Sequence, residues 1–184
     1  AISRQNGTLY GCGNILGYDL KRNIGEDGKW NPSENTYVIN PEQAETVRMI
    51  FDLYDQGNGC MKIANILTER HRKNATGNVR WGYGNLIRII ANATYKGMVC
   101  YNKSRSNNYL EQKRIVNHDR DTYVYEKGNF EPIISEKQWD KCNDILKSRR
   151  TVIGTDSKGK EITTGACPSS DLWSNKLKCT CGAK

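Results

Sequence analysis

Amide and guanidinium side chains are regularly spaced in the segment "GYGNLIRIIAN", residues 82–92. Asn85, Arg88 and Asn92 recur at spacings of three and four, which places them on one face of a helix. The carboxamide of asparagine matches the edge of adenine, and the guanidinium of arginine matches the edge of guanine. The spacing therefore predicts a helix whose outer face hydrogen-bonds to base edges; an amphipathic helix with a merely solvated face is the alternative.

Positive charge is concentrated in the same part of the chain. Residues 62–114 carry eleven lysines and arginines against two acidic residues, a net charge of +9, while all 184 residues together carry +8. Because each basic side chain that neutralises a phosphate releases condensed counterions, this concentration favours a polyanion, and double-stranded DNA above all, as the partner. Besides Asn85, Arg88 and Asn92, the predicted DNA-binding residues are Arg72, Lys73, Arg80, Tyr83, Lys96, Lys103, Arg105, Lys113 and Arg114.

Two cysteines in "KCTCGAK" have the form of half a zinc site. A structural zinc site needs four ligands, usually from two knuckles, and Cys179 and Cys181 supply one knuckle. Cys167, twelve residues earlier, is a poor third ligand, and no histidine lies nearby. The pattern alone leaves two readings open, a partial zinc site and two free thiols.

Catalytic patterns are scarce. His118, Asp119 and Asp121 in "NHDRD" combine residue types that a metal-dependent nuclease uses, but neighbours in a strand alternate faces, and an ordinary surface loop is the favoured interpretation. The sequence contains no glycine-rich phosphate loop, HExxH pair or serine-centred elbow. We therefore expect a binding module and not an enzyme.

Composition indicates an intracellular protein. The chain is 36% hydrophobic without a long apolar run, and its first residues lack the basic-then-apolar pattern of a secretion leader. Seven scattered cysteines do not suggest a disulfide framework, and Cys60 and Cys142 fall on apolar helix stripes. A cytoplasmic location is expected.

Three helices must position the polar face described above. Asn40, as an N-cap before a proline, and Gly57 delimit the first helix; the second follows Gly59, and the third covers about 83–91 after a basic connection, residues 72–81. The second and third form a helix-loop-helix unit. The predicted core positions are Ala44, Val47, Ile50, Phe51 and Tyr54, then Cys60, Ile63, Ala64 and Leu67, then Leu86, Ile87 and Ile90, with Trp81 and Tyr95 as flanking anchors.

Strand patterns follow the third helix. "MVCY", "RIVNH" and "TYVYEK" predict a small antiparallel sheet with a projecting basic hairpin, and a helix over 136–149 begins with a capping box formed by Ser135 and Gln138. This helix is expected to bury Trp139, Cys142, Ile145 and Leu146. The fold class is α+β: a helical domain with a helix-loop-helix unit and a small antiparallel sheet or hairpin, followed by an incomplete zinc-ribbon segment.

The domain organisation follows from these patterns. Residues 1–35 are expected to be irregular, with one short strand near residues 16–20, and to lead in from a missing domain. Residues 36–149 form the DNA-binding domain. Residues 150–171 form a Gly-, Ser- and Thr-rich linker, and residues 172–184 start a new unit, which the resemblance described next implies to be the first part of a truncated zinc ribbon.

The order of five segments resembles the DNA-binding part of the large serine recombinases, which include phage-type integrases and transposases. The segments are "YGCGNILGYDL", "INPEQAETVRMIFDLYDQGNGCMKIANILTERH", "VRWGYGNLIRIIANATYKGMVCYNK", "FEPIISEKQWDKCNDIL" and "LWSNKLKCTCGAK". The resemblance covers nearly the whole chain, and the stretch from Trp81 to "NATYKG" is its most specific part.

The resemblance implies an arrangement that extends beyond this chain. A catalytic domain with a nucleophilic serine and a long helix would precede it, and the second cysteine pair of the zinc ribbon would follow it. The intact protein would hold zinc, bind DNA as a dimer and form a tetramer in synapsis, whereas this chain would bind no zinc and be monomeric. Family knuckles are commonly C-x-x-C, so the C-x-C of Cys179 and Cys181 is a departure.

The sequence thus predicts specific duplex DNA binding at attachment sites, as part of a serine site-specific recombinase that integrates or excises DNA near the nucleoid. An RNA-binding zinc-ribbon adaptor is one alternative. A metal-dependent nuclease built on His118, Asp119 and Asp121 is the other.

Overall fold

A computed structural model describes most of the chain. The described residues are 9, 13–22, 24, 35–106, 110–111, 113–117, 122–149, 151–155 and 161–164. The chain divides into two compact units, Ala1–Asp144 and Ile145–Lys184. The fold class is α+β, as the sequence predicts, with four α-helices and four two-stranded antiparallel sheets among the described residues.

The first unit begins with a two-stranded sheet. Strands β1 (Tyr18–Lys21) and β2 (Thr36–Ile39) pair antiparallel, with Tyr18 opposite Ile39. Gly17 precedes β1 with a φ of +92°, and a Cβ at this position would lie 2.7 Å from Ile133 Cδ1, so the close packing requires glycine. The predicted strand near residues 16–20 is confirmed, whereas its partner β2 was not predicted.

Helices α1 (Pro41–Asp55), α2 (Cys60–Glu69) and α3 (Tyr83–Ile90) form the centre of this unit. Asn40 caps α1, because its side chain accepts a hydrogen bond from the Gln43 amide, and Gly57 follows the helix with a φ of +89°. Each of the three helices packs on the other two. The predicted core of these helices is confirmed except for Ile87, which is half-buried; Ala44, Val47, Ile50, Phe51, Tyr54, Cys60, Ile63, Ala64, Leu67, Trp81, Leu86, Ile90 and Tyr95 are all buried. In the helix predicted over 136–149, Cys142 is buried, whereas Trp139, Ile145 and Leu146 are only half-buried, contrary to the prediction.

A 3₁₀ turn (Ala93–Lys96) leads from α3 into the strands. Strand β3 (Met98–Tyr101) pairs antiparallel with β6 (Val124–Lys127), and β4 (Ser104–Ser106) pairs with β5 (Arg114–Val116). The predicted hairpin is confirmed, but it forms a two-stranded ribbon distinct from the β3–β6 pair. Asn117, directly after β5, connects the two ribbons, because its side-chain Nδ2 donates to the O atom of Asn102, directly after β3, at 2.9 Å.

Helix α4 (Glu136–Ser148) is fastened to α1. Gln138 Nε2 donates to Asp52 Oδ1 at 2.8 Å, and the buried thiol of Cys142 donates to Phe51 O at 3.7 Å. Ser135 Oγ accepts from the Gln138 amide at 3.4 Å, which is one half of the predicted capping box. The other half is absent from the described contacts, because the Gln138 side chain is directed to Asp52.

An aromatic cluster ties the first strand to the rest of the unit. The rings of Tyr18, Tyr37 and Phe130 lie within 5.6 Å of one another by their centroids, and Tyr95 stacks on Tyr18 at 6.2 Å. Tyr18 donates its hydroxyl to Glu131 O at 2.9 Å, and Tyr95 donates to Leu16 O at 3.0 Å. Residues 16–18, which the sequence places in an irregular lead-in segment, therefore belong to the core.

The second unit contains one described hairpin. Strands β7 (Thr151–Thr155) and β8 (Glu161–Thr164) pair antiparallel, with a register shift between Val152 and Gly154. The sequence analysis expected a linker without regular structure in this region. Threonine, valine and isoleucine favour strands and dominate both segments, and this signal outweighs the intervening glycine and lysine.

Candidate nucleic-acid interface

Helix α3 presents a polar face to solvent. Leu86 and Ile90 are fully buried, and Tyr83, Asn85 and Arg88 are exposed, with half of Tyr83 accessible. Within the described residues, no hydrogen bond or ion pair engages the side chains of Asn85 and Arg88. Both side chains are therefore available to an external partner.

The C-terminal end of α3 is held by α4. The last carbonyls of a helix have no partner within it, and they need one from elsewhere when buried. Asn143 Nδ2 donates to Ile90 O at 2.9 Å, and Trp139 Nε1 donates to Asn92 O at 3.0 Å. These two bonds fix the direction of α3 within the first unit.

A polar loop precedes α3. Trp81 closes it, since its ring is 7% exposed and its Nε1 donates to Arg72 O at 2.8 Å. Lys73 and Arg80 are exposed within this loop. The predicted basic connection over residues 72–81 is thus an ordered loop that leads directly into the exposed face of α3.

Two adjoining clefts run along α3 and this loop. The first, of about 580 Å³, is lined by residues of the loop and of the start of α3, among them Arg80 and Asn85. The second, of about 320 Å³, is lined by Asn85, Arg88 and Asn92 among others. The structure therefore brings together the three residues that the sequence predicts to share a helix face.

Asn92 combines this position with a structural role. It lies beyond the end of α3, and its Oδ1 accepts from the Thr94 amide at 3.2 Å, which caps the 3₁₀ turn. One lone pair of its carboxamide is thereby used within the protein. Asn92 differs in this respect from Asn85, whose side chain has no described partner.

Two of the predicted DNA-binding cations, Lys96 and Arg72, pair with carboxylates on helices α4 and α1, respectively. Lys96 Nζ lies 2.9 Å from Asp140 Oδ1 and 4.0 Å from the centroid of the Trp139 ring, with 14% of its side chain exposed. Arg72 donates to Glu45 Oε2 at 2.9 Å, and this hydrogen bond holds the pKa of Glu45 below its usual value. The structure therefore gives Lys96 and Arg72 internal partners, and we assign no phosphate to either.

The β4–β5 hairpin carries the remaining predicted cations. Lys103, Lys113 and Arg114 are exposed, and Arg105 lies on β4 opposite Ile115. Arg114 donates to Ser104 Oγ at 3.0 Å, and Lys113 Nζ lies 3.7 Å from Glu111 Oε2. Such exposed pairs contribute little energy, so these side chains can exchange them for phosphate oxygens at small cost.

The cysteine and histidine predictions fall outside the described residues. Cys179 and Cys181 lie there, as do His118, Asp119 and Asp121. In the described part of the chain, no cluster of three or more His, Cys, Asp or Glu side chains has an arrangement suited to a metal ion. Burial raises the pKa of the Cys142 thiol to about 11, as is typical of a core thiol.

Sequence reasoning missed a group of asparagines. Asn14, Asn74 and Asn78 line the two clefts beside the residues already named. The motif "NATGN", residues 74–78, could have indicated two of them, because asparagine followed by a glycine three residues later is typical of a tight polar turn.

None of the described helices has the length and apolar character needed to span a membrane.

Comparison with known proteins gives one family and a similar fold. The model of the family described as Recombinase matches residues 41–149. No curated protein sequence matches the chain. A crystal structure of a large serine recombinase (LSR)–DNA complex is 23% identical, with a TM-score of 0.50 over 82% of this chain and 38% of that chain.

A second solved structure comes from work on the sequence requirements of the Listeria innocua prophage attP site. It is 21% identical with a TM-score of 0.49, over 88% of this chain and 66% of that chain. The first likeness is one of fold, and this chain spans 38% of the length of that protein.

Proposed function

Because the chain belongs to the Recombinase family, we propose that its first unit binds double-stranded DNA and distinguishes one base sequence from another. The observation that carries this proposal is the arrangement of α3: its inner side is buried, its C-terminal carbonyls are bonded to α4, and Asn85 and Arg88 are exposed beside clefts. A helix held rigidly by its neighbours, with amide and guanidinium groups outward, suits the major groove of a duplex.

We assign base recognition and phosphate contact to different residues. Asn85 and Arg88 on α3 are the base-reading groups, since their side chains form forked hydrogen bonds. Lys73, Arg80, Lys103, Lys113 and Arg114 are exposed cations around the clefts and along the hairpin, and they supply phosphate contacts. We add Arg105 to this second group because it lies on β4 of the same hairpin.

The role in the whole protein is part of the proposal. We propose that the DNA sites are attachment sites of a serine site-specific recombinase, of the integrase or transposase type, that acts in the cytoplasm on nucleoid DNA. The solved LSR–DNA complex of similar fold is consistent with this. In such a recombinase a catalytic domain would carry the nucleophilic serine, dimers and tetramers would form on DNA, and Cys179 and Cys181 would contribute to a zinc site.

The test begins with selection of bound sequences from a pool of random duplexes. Dissociation constants are then measured for the selected duplex and for a scrambled duplex of the same composition, at several salt concentrations. We expect Arg88→Ala to lower the discrimination between them by about 1–3 kcal/mol. Lys103→Ala should weaken binding to both duplexes equally. It should also reduce the slope of log K against log salt by the amount expected for the loss of roughly one phosphate contact.

Arg48→Ala is a matched control, because Arg48 is an exposed arginine on α1 outside both clefts. It should change neither the discrimination nor the salt dependence appreciably. Equal losses on the two duplexes for Arg88→Ala would reject the base-reading role of Arg88. Tighter binding to structured RNA than to the selected duplex would reject duplex DNA as the partner.

A further inference from the structure

The exposed loop before α3 is organised around one side chain. Asn74 Oδ1 accepts hydrogen bonds from the Thr76 amide at 2.9 Å, from the Thr76 hydroxyl at 2.7 Å and from the Asn78 amide at 3.1 Å. Its Nδ2 donates to Arg80 O at 3.2 Å. One carboxamide thus connects three other residues of a seven-residue loop.

Backbone bonds complete the loop. The Asn74 amide donates to Asn78 O at 2.9 Å, and the Gly77 amide donates to Asn74 O at 2.9 Å. Gly77 has a φ of +83°, a conformation that glycine adopts without strain. Asn78 Nδ2 also donates to Thr76 Oγ1 at 3.2 Å. The loop therefore has one defined conformation although most of its side chains are exposed.

This order is not needed to attach the loop to the core. Trp81 already does so through its buried ring and its bond to Arg72 O. The bonds of Asn74 fix the exposed residues Thr76, Asn78 and Arg80 instead. Fixing an exposed loop before a partner arrives removes the entropic cost of ordering that loop from the binding step.

The loop and α3 share one surface. Thr76, Asn78 and Arg80 from the loop and Asn85 from α3 line the same first cleft. Asn74 and Thr76 continue into the second cleft, where Arg88 lies. A duplex that contacts Asn85 and Arg88 would therefore meet the loop in the same approach.

We propose that this loop, residues 74–80, is a second specificity element for duplex DNA, in which Asn78 and Arg80 contact the duplex next to the bases read by α3. Asn74 is its positioning residue: it does not touch DNA but holds Asn78 and Arg80 in place. The inference rests on the proposed function. It adds Asn78 to the DNA-binding residues, with Asn74 to position it, and it extends the role of Arg80 from a phosphate contact to a contact that contributes to specificity.

The test compares two variants at one position. Asn74→Ala removes every bond of the side chain, and Asn74→Asp keeps the three accepted bonds while losing the donor to Arg80 O. We expect Asn74→Ala to lower the ratio of affinities for the selected and scrambled duplexes by about tenfold. Asn74→Asp should weaken binding to both duplexes through its added negative charge, and it should lower the ratio less than Asn74→Ala does, because it keeps the bonds to Thr76 and Asn78 and loses only the bond to Arg80 O.

Matched measurements separate positioning from general destabilisation. Asn58→Ala removes an asparagine that bonds to Leu53 O at 2.8 Å in the α1–α2 connection, outside both clefts. We expect it to lower thermal stability without changing the ratio. Amide hydrogen exchange at Asn78 should accelerate in Asn74→Ala and stay slow in Asn74→Asp.

Asn78→Ala and Arg80→Ala test the contacts directly and should each lower the ratio if the folded loop reads DNA. The inference is overturned if Asn74→Ala exposes the Asn78 amide to exchange but leaves the ratio unchanged, or if Asn74→Asp loses the ratio as fully as Asn74→Ala. A wild-type protein that does not distinguish the two duplexes would instead refute the proposed function, so the two failures are distinguishable.

Discussion

Asn143 on α4 forms a hydrogen bond to the last residue of α3. It is 8% exposed, and its Nδ2 donates to Ile90 O and to Trp139 O, both at 2.9 Å. Asn143→Ala removes the only described donor to Ile90 O, a buried carbonyl at the end of α3, and an unsatisfied buried carbonyl costs about 1–3 kcal/mol. We therefore expect the free energy of unfolding to fall by about 2 kcal/mol and the melting temperature by about 4–8 °C.

Urea denaturation measures this loss, with the m-value expected to stay unchanged because the folded unit keeps its size. Asn143→Leu is the informative companion, since leucine has a similar size but no donor. If the hydrogen bond dominates, leucine restores little of the lost stability. Recovery to within about 0.5 kcal/mol of wild type would show that packing matters and would refute the assignment. Asn85→Ala, an exposed change on α3, should stay within about 0.5 kcal/mol.

Three further predictions follow from described contacts. Lys96→Met should lower the midpoint of urea denaturation and leave the salt dependence of DNA binding unchanged. Lys103→Met should leave that midpoint unchanged and reduce the salt dependence. A reduced salt dependence for Lys96→Met would show that Lys96 contacts a phosphate. Gly17→Ala places a Cβ 2.7 Å from Ile133 Cδ1 at a φ of +92°, and it should lower the free energy of unfolding by about 3 kcal/mol in the same assay. Gly57→Ala has a similar φ of +89° but open space around the Cβ, and it should lower that free energy by about 1 kcal/mol. Equal losses for the two variants would contradict a clash at Gly17. Burial raises the pKa of Tyr18 to about 12, so the stability from its neutral phenol is complete below about pH 10 and falls from pH 10 to 12 by about 1.4 kcal/mol per pH unit. Burial raises the pKa of Tyr95 as well, so Tyr18→Phe should remove part of the alkaline slope, and an unchanged slope would exclude Tyr18 as a source.

Local signals made the helices predictable. The Asn40 cap and the left-handed Gly57 act within a few residues of the ends they define, so neither depends on the rest of the fold. The apolar stripes of α1 and α2 likewise follow from their own spacing. The exposed face of α3 could be predicted for the same reason.

Long-range partners explain what could not be predicted. Tyr18 bonds to Glu131, 113 residues later, and this distance in sequence hides the fact that the early strand belongs to the core. Lys96 was counted as a free cation because Asp140, its ion-pair partner, lies 44 residues away. A count of charges along the chain identifies where cations concentrate but not which of them the fold neutralises.

The loop around Asn74 lies between these cases. Its asparagine, threonine and glycine are local signals for a turn. Its place beside α3 depends on the closure by Trp81, whose bond to Arg72 O spans nine residues. The turn could therefore have been predicted, whereas its place beside Asn85 in the same cleft required the structure.

The central claim, that the α3 surface distinguishes base sequences, is tested most directly by competition binding at physiological ionic strength between the selected duplex and its scrambled counterpart. A specific DNA-binding surface predicts that the selected duplex binds at least about a thousandfold more tightly. Equal affinities for the two duplexes, with the same dependence on salt, would show that the surface recognises only phosphate and would contradict the account.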